Sequence, residues 1–229
     1  MLFRSPYRAE VGADPGRLRI GVLAHHPAGI PVHDECRAAV EHAAALLERL
    51  GHHVEYAYPS ALDDTSFGRN FAALWSTNMT LNRKRTGDLL GRPLHQDEVE
   101  PINWALAEMG AAASGEEYAT ALAGVAAFRR SMQSWWAVDG WDLLLTPSMA
   151  QPPAPIGFLD MPGENPLAPF AKSGPYVPFT AVYNGSFQPA ISLPTHWTAN
   201  GLPVGVQLVA AYAREDLLIR VRSEEHTSE

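Results

Sequence analysis

Apolar and polar positions vary sharply in spacing along the chain, and the most informative stretch comes late, at 176–210. Residues 189–198 and 203–210 read as two strands joined across Asn200-Gly201. That dipeptide suits a type I′ hairpin turn, because both central residues there need φ > 0. In the return strand Val204, Val206 and Leu208 fall on one face, and Gly205, Gln207 and Val209 on the other. A strand apolar on nearly both faces belongs inside a sheet covered on both sides, which points to an α/β architecture.

Earlier segments agree with that class. Residues 18–23 (LRIGVL) read as a buried strand. Asp34 and Glu35 then place negative charge at a helix start, where the helix dipole favours it. Cys36, Val40, Ala43, Leu47 and Leu50 follow at helical spacing, and Gly51 sits where a C′ glycine ends a helix. Residues 53–58 (HVEYAY) alternate as a second strand stopped by Pro59, completing a βαβ unit with parallel strands. A helix is expected over 67–85, with Phe67, Phe71, Leu74, Asn78 and Leu81 on one side, and another over 99–109, ended by Gly110. Ser114 and Glu117 form a capping box for a third, whose apolar line is Tyr118, Leu122, Val125, Met132 and Trp136, interrupted by Arg129. Residues 141–147 (WDLLLTP) form a short buried strand, followed by a proline-rich loop at 148–163 and an irregular surface excursion at 162–174. No internal repeat is present, and no linker splits the chain.

Composition narrows the function classes. The 229 residues carry a formal net charge of −8 and are 46% hydrophobic, an ordinary globular balance with no basic footprint for nucleic acid or an anionic membrane. The basic runs Arg83-Lys84-Arg85 and Arg129-Arg130 read as solvated helix faces or ends. A lone cysteine, Cys36, excludes an internal disulfide and suits a reducing compartment. No run of about 18 apolar residues and no signal segment is evident, so the expected location is cytoplasmic.

Candidate chemistry is sparse. The close histidine pairs and His33 with Cys36 do not make a tetrahedral metal set, and there is no HExxH, paired CxxC or GxGxxG, so no metal or other cofactor is expected. Cys36 lies on the apolar stripe and is rejected as a nucleophile. There is no GxSxG elbow, SxxK or glycine-rich serine loop, and neither lysine, Lys84 or Lys172, reads as a desolvated base. Asp97, Glu98 and Glu100 precede a helix and are assigned to its dipole. The polar groups placed to touch a small molecule are Thr146, Ser148 and Met149 after a buried strand, Tyr183 and Asn184 (with Ser186) before the hairpin, and Trp75 and Asn78 (with Asn82) along the long helix. Ordinary packing and backbone hydrogen bonding compete with ligand contact at each of them.

The two ends read differently from the rest. Leu2-Phe3-Arg4-Ser5 can be coded by CTCTTCCGATCT, and the reverse complement of that oligonucleotide codes Arg222-Ser223-Glu224-Glu225. Residues 1–5 and 222–229 are therefore expected to be adapter-like, non-native tails flanking a partial domain at 6–221, with the natural protein continuing beyond both.

Four stretches carry a resemblance: DPGRLRIGVL (14–23), PVHDECRAAVEHAAALLERLGHHVE (31–55), WDLLLTPSMAQPPAPIG (141–157) and FQPAISLPTHWTANGLPVGVQLVA (187–210). Together they resemble the carboxyl-terminal half of the amidase signature family. EVEPINWALAEMG (98–110) and the proline loop resemble its branch of 6-aminohexanoate cyclic-dimer hydrolases, whereas WSTNMTLNRKR (75–85) is unlike the tRNA-dependent amidotransferase A subunits. The resemblance implies a mixed β-sheet covered by helices, truncated at its amino-terminal half. It also implies amide hydrolysis by a Ser–cis-Ser–Lys triad acting through an acyl-enzyme. No position here matches the triad, so none is named catalytic, and the chain alone is expected to be inactive. A small amide, linear or cyclic, is the implied substrate of the full-length parent, and a homodimer is the assembly left open. Two departures stand out: Phe187 replaces the glycine usual before Gln-Pro-Ala, and Ser148 the threonine usual after Leu-Thr-Pro. An amidotransferase A subunit and a non-catalytic α/β binding module are the competing readings.

Overall fold

The computed structural model describes residues 6–160, 163 and 165–225. Of the expected tails at 1–5 and 222–229, residues 1–5 and 226–229 lie outside the described residues, as do Met161, Pro162 and Glu164 of the irregular excursion. Residues 222–225 are described and close the last helix, with Glu224 3.0 Å from His52 Nε2. The chain forms two compact units, the first from the described residues of Met1–Asp63, Arg129–Ala154 and Pro175–Glu229, the second from those of Asp64–Phe128 and Pro155–Gly174. The chain crosses between the units four times, at 63/64, 128/129, 154/155 and 174/175; the second crossing falls inside a helix and the last two directly before a proline.

In the first unit a short helix α1 (Tyr7–Glu10) precedes β1 (Arg19–Val22), α2 (Asp34–Arg49) and β2 (His53–Glu55). Strand β1 pairs in parallel with β2, as the βαβ pattern requires. The N-cap of α2 is His33, whose Nδ1 accepts the Glu35 N–H at 3.2 Å, and Gly51 follows its end at φ +95°. The expected second strand is only three residues long, its alternation being lost before Pro59.

Next in the chain come α3 (Ser66–Leu90), α4 (Pro101–Ala112) and α5 (Gly115–Ala137), with β3 (Leu143–Pro147) after them. Two short helices, α6 (Ala168–Ser173) and α7 (Ala181–Ser186), precede β4 (Ala190–Trp197), β5 (Pro203–Ala210) and α8 (Glu215–Glu225). The sheet order is β2-β1-β3-β5-β4, with β1 parallel to β3 and β5 antiparallel to both its neighbours. It is the mixed sheet expected, and β5 is interior and almost wholly buried.

Register separates two faces. Leu145, Leu208, Val206 and Leu193 point toward Ala43 and Leu47 of α2 and Val221 of α8, around a void of about 20 Å³. The opposite face carries Leu144, Thr146, Gln207 and Val209. The hairpin itself differs from expectation. Among the described residues only Phe187 and Ala213 are non-glycines at positive φ, so Asn200 is not left-handed and the turn is not type I′. Gly201 N–H bonds the Thr198 carbonyl and Thr198 N–H the Leu202 carbonyl, each at 2.9 Å. This is a three-residue loop, a turn followed by left-handed Gly201 at φ +76°.

In the second unit α3 and α4 pack closely. Gly110 was expected to end the helix; it lies inside α4 instead, where an added Cβ would meet the Ser76 carbonyl oxygen at 2.1 Å. It is a contact glycine and not a terminator. The Ser114–Glu117 capping box forms as expected, at 2.7 and 3.1 Å. The apolar line of α5 is rotated from the expected one: Tyr118 and Leu122 are exposed, and Ala121, Val125, Phe128, Met132 and Trp135 are buried with Trp136. The excursion at 162–174 contains α6, so it is not wholly irregular.

Candidate functional site

On the second face of the sheet, at the carboxyl end of β3, the apolar run gives way to polar groups. Thr146 is fully buried, its hydroxyl accepting the Gln207 Nε2 donor at 3.3 Å, and the same amide reaches the Phe179 carbonyl at 3.5 Å. Tyr183, on α7, is buried beside Thr146, and among the described residues its hydroxyl makes no well-aligned hydrogen bond, although the Thr146 side chain lies close enough to act on it. Burial raises its pKa far above the ordinary phenol value, against a smaller opposing influence of Thr146, so the hydroxyl stays protonated and available as a donor.

Two residues beyond Thr146, Ser148 holds its hydroxyl oxygen 2.6 Å from that of Ser192. Gly205 makes room for this pair, since a Cβ there would lie 3.1 and 3.2 Å from the two oxygens. Among the described residues no lysine or histidine hydrogen-bonds either hydroxyl, so the pair lacks the base that a serine nucleophile requires. Met149 and Asn184 are exposed at the same end. Ser186 spends its hydroxyl on the Val182 carbonyl of its own helix at 2.7 Å, a structural bond.

Trp75 and Asn78 belong to the second unit. Trp75 packs against Phe71 and Phe170, with ring centroids at 6.4 and 5.4 Å, and Asn78 is exposed, as is Asn82. Two grooves on this unit, of about 800 and 1120 Å³, are lined by other residues, the first by Arg83 and Lys84 with Trp104 and Glu108. Arg83 is ion-paired with Glu108 and lies over the Trp104 ring, so its charge is largely answered within the groove.

Gln207, Phe179 and Ser192 are not among the candidates that the sequence offers. Gln207 had a signal, being polar in the middle of VGVQLVA; Phe179 and Ser192 had none, since a backbone carbonyl and a strand register bring them in. The remaining candidates are structural. Cys36 is fully buried, and burial first and Glu35 second push its thiol up to about 11. Glu98 pairs with both terminal nitrogens of Arg92 and accepts the His95 N–H, which together bring it down to about 2; it caps its own turn, ahead of the helix whose dipole it was assigned to. Among the described residues no group of three or more histidine, cysteine or acidic side chains could hold a metal ion.

The comparisons agree with this fold and go beyond it. The family model for amidases matches residues 3–219. The 6-aminohexanoate-cyclic-dimer hydrolases of Pseudomonas sp. (strain NK87) and of Paenarthrobacter ureafaciens are each 38% identical over 226 residues, covering 96% of this chain and 45% of theirs. A solved structure of 6-aminohexanoate cyclic dimer hydrolase superposes with a TM-score of 0.91 at 36% identity, covering 100% of this chain and 48% of that one. The chain thus spans about half the length of the curated relatives it matches. With its mixed sheet, its polar strand end and these matches along nearly its whole length, the chain belongs to the amidase signature family.

Proposed function

We propose that the chain is the carboxyl-terminal part of an amidase that cleaves carboxamide bonds in linear or cyclic amide oligomers, with its Ser–cis-Ser–Lys triad outside these residues. The observation that carries this reading is the 38% identity to cyclic-dimer hydrolases over 96% of the chain against 45% of theirs. The Ser148–Ser192 pair, with no base on it among the described residues, supports a triad located elsewhere. In the same reading residues 6–221 are a partial domain between foreign ends. Thr146, Ser148, Met149, Tyr183, Asn184, Trp75 and Asn78 contribute to substrate binding in the parent, where Tyr183 has a protonated hydroxyl to offer an amide carbonyl. A cytoplasmic location is part of the proposal; no described helix is long and apolar enough to cross a membrane.

The test is turnover by the purified 229-residue chain on a simple linear amide and on the cyclic dimer of 6-aminohexanoate. No hydrolysis above the uncatalysed rate is expected. Hydrolysis that Ser148→Ala or Ser192→Ala abolishes would overturn the proposal, because it would place the nucleophile within the chain.

A further inference from the structure

Arg129 was assigned to a solvated basic run, but its surroundings are unusual for a solvated cation. Its side chain is half-buried, and Nη2 donates to the Gly185 carbonyl at 3.3 Å. Its Nε is buried with no acceptor, and no carboxylate lies within ion-pair distance of it among the described residues. One face of the guanidinium is covered by the Phe187 ring, 3.6 Å from Cζ to the centroid. Phe187 holds this place at φ +63°, a left-handed conformation that a bulky residue adopts only under constraint, and the residue is still 54% exposed. Gln188, next in the chain, donates Nε2 to Gln133 Oε1 at 3.3 Å but leaves its own Oε1 buried without a donor.

A cation without a counter-ion, with unused N–H groups and an open aromatic surface beside it, matches a particular ligand: an anion that accepts from the guanidinium edge and trails an apolar chain. We infer that Arg129 and Phe187 form a subsite for the carboxylate of a small linear acid, its hydrocarbon chain lying along the Phe187 ring. The choice of a carboxylic acid rests on the proposed amidase reading, since hydrolysis of an amide releases one. Binding at the subsite requires no turnover, so an inactive chain still tests it.

The experiment is a titration of the ¹⁵N-labelled 229-residue chain, following the Arg129 Nε–H resonance and the backbone amides of 185–188, with hexanoate, acetate and hexylammonium. Hexanoate is expected to give saturable shifts in the millimolar range, roughly threefold or more tighter than acetate, from partial burial of its chain. Phe187→Gly suits the left-handed backbone; it should keep acetate binding and remove the advantage of hexanoate. Arg129→Lys keeps the charge but loses the fork, and should weaken hexanoate about tenfold. Absence of saturable shifts, equal shifts from hexylammonium, or unchanged hexanoate binding in Arg129→Lys would each overturn the inference.

Discussion

At Gly110 a methyl group would fall 2.1 Å from a backbone oxygen that cannot swing aside. Gly110→Ala is therefore expected to lower stability by about 1–3 kcal/mol despite the better helix propensity of alanine. Gly68, also helical but with nothing within 4 Å of an added Cβ, gives the opposite sign, with Gly68→Ala gaining up to about 1 kcal/mol. Urea denaturation of the two variants reads both signs. Thr195 lines the void between α2, α8 and the sheet, and its buried hydroxyl has no partner among the described residues. Thr195→Val removes that unpaired group at similar volume and should raise stability by about 1 kcal/mol in the same assay. His26 adds a pH dependence. Burial holds its pKa below the ordinary 6.5, opposed by a hydrogen bond to the Pro178 carbonyl, with His25 adding to the depression. A histidine depressed on folding binds fewer protons folded than unfolded. Its stabilisation is thus complete above pH 6.5 and is lost as pH falls through the folded value. Stability measured between about pH 7 and 5 should fall more steeply for the natural chain than for His26→Asn. Equal slopes would show that the group titrates as if exposed.

Elements were legible wherever one strong local signal decided them. The capping box at Ser114, the acidic start of α2 and the two-sided apolar run of β5 each act over a few residues, and each forms where the sequence puts it. What was not legible depends on partners distant in sequence. The line Tyr118–Leu122 is apolar at helical spacing, yet both residues are exposed while small Ala121 is buried, because the neighbours of α5 and not its own periodicity choose the face. The Asn-Gly dipeptide located the hairpin but not its turn: Thr198 and Leu202 pair around one additional residue, and this moves the left-handed position onto Gly201 alone. The site divides in the same way. Thr146 and Ser148 follow from their place at a strand end, whereas Ser192 reaches Ser148 through the β4–β5 register, which no motif announces.

Across the molecule the sheet ends on β4, which among the described residues pairs only with β5. That strand is half-exposed, ends on Trp197 at 62% exposure, and carries Pro194 as its one evident edge-protecting residue. A long edge with an exposed aromatic favours pairing between copies. The chain is accordingly expected to self-associate with rising concentration in sedimentation velocity, and Trp197→Lys to reduce it; a monomer at every concentration would show the edge to be adequately protected. The proposal that the chain is the carboxyl-terminal part of an amidase, with its triad elsewhere, accounts for the open edge, the serine pair without a base among the described residues and the half-length match. Reading the genomic DNA upstream of codon 6 tests that account most directly. The account predicts an open frame continuing into a glycine-rich loop with two serines, preceded by a lysine. An in-frame stop codon immediately upstream in genomic sequence would contradict it.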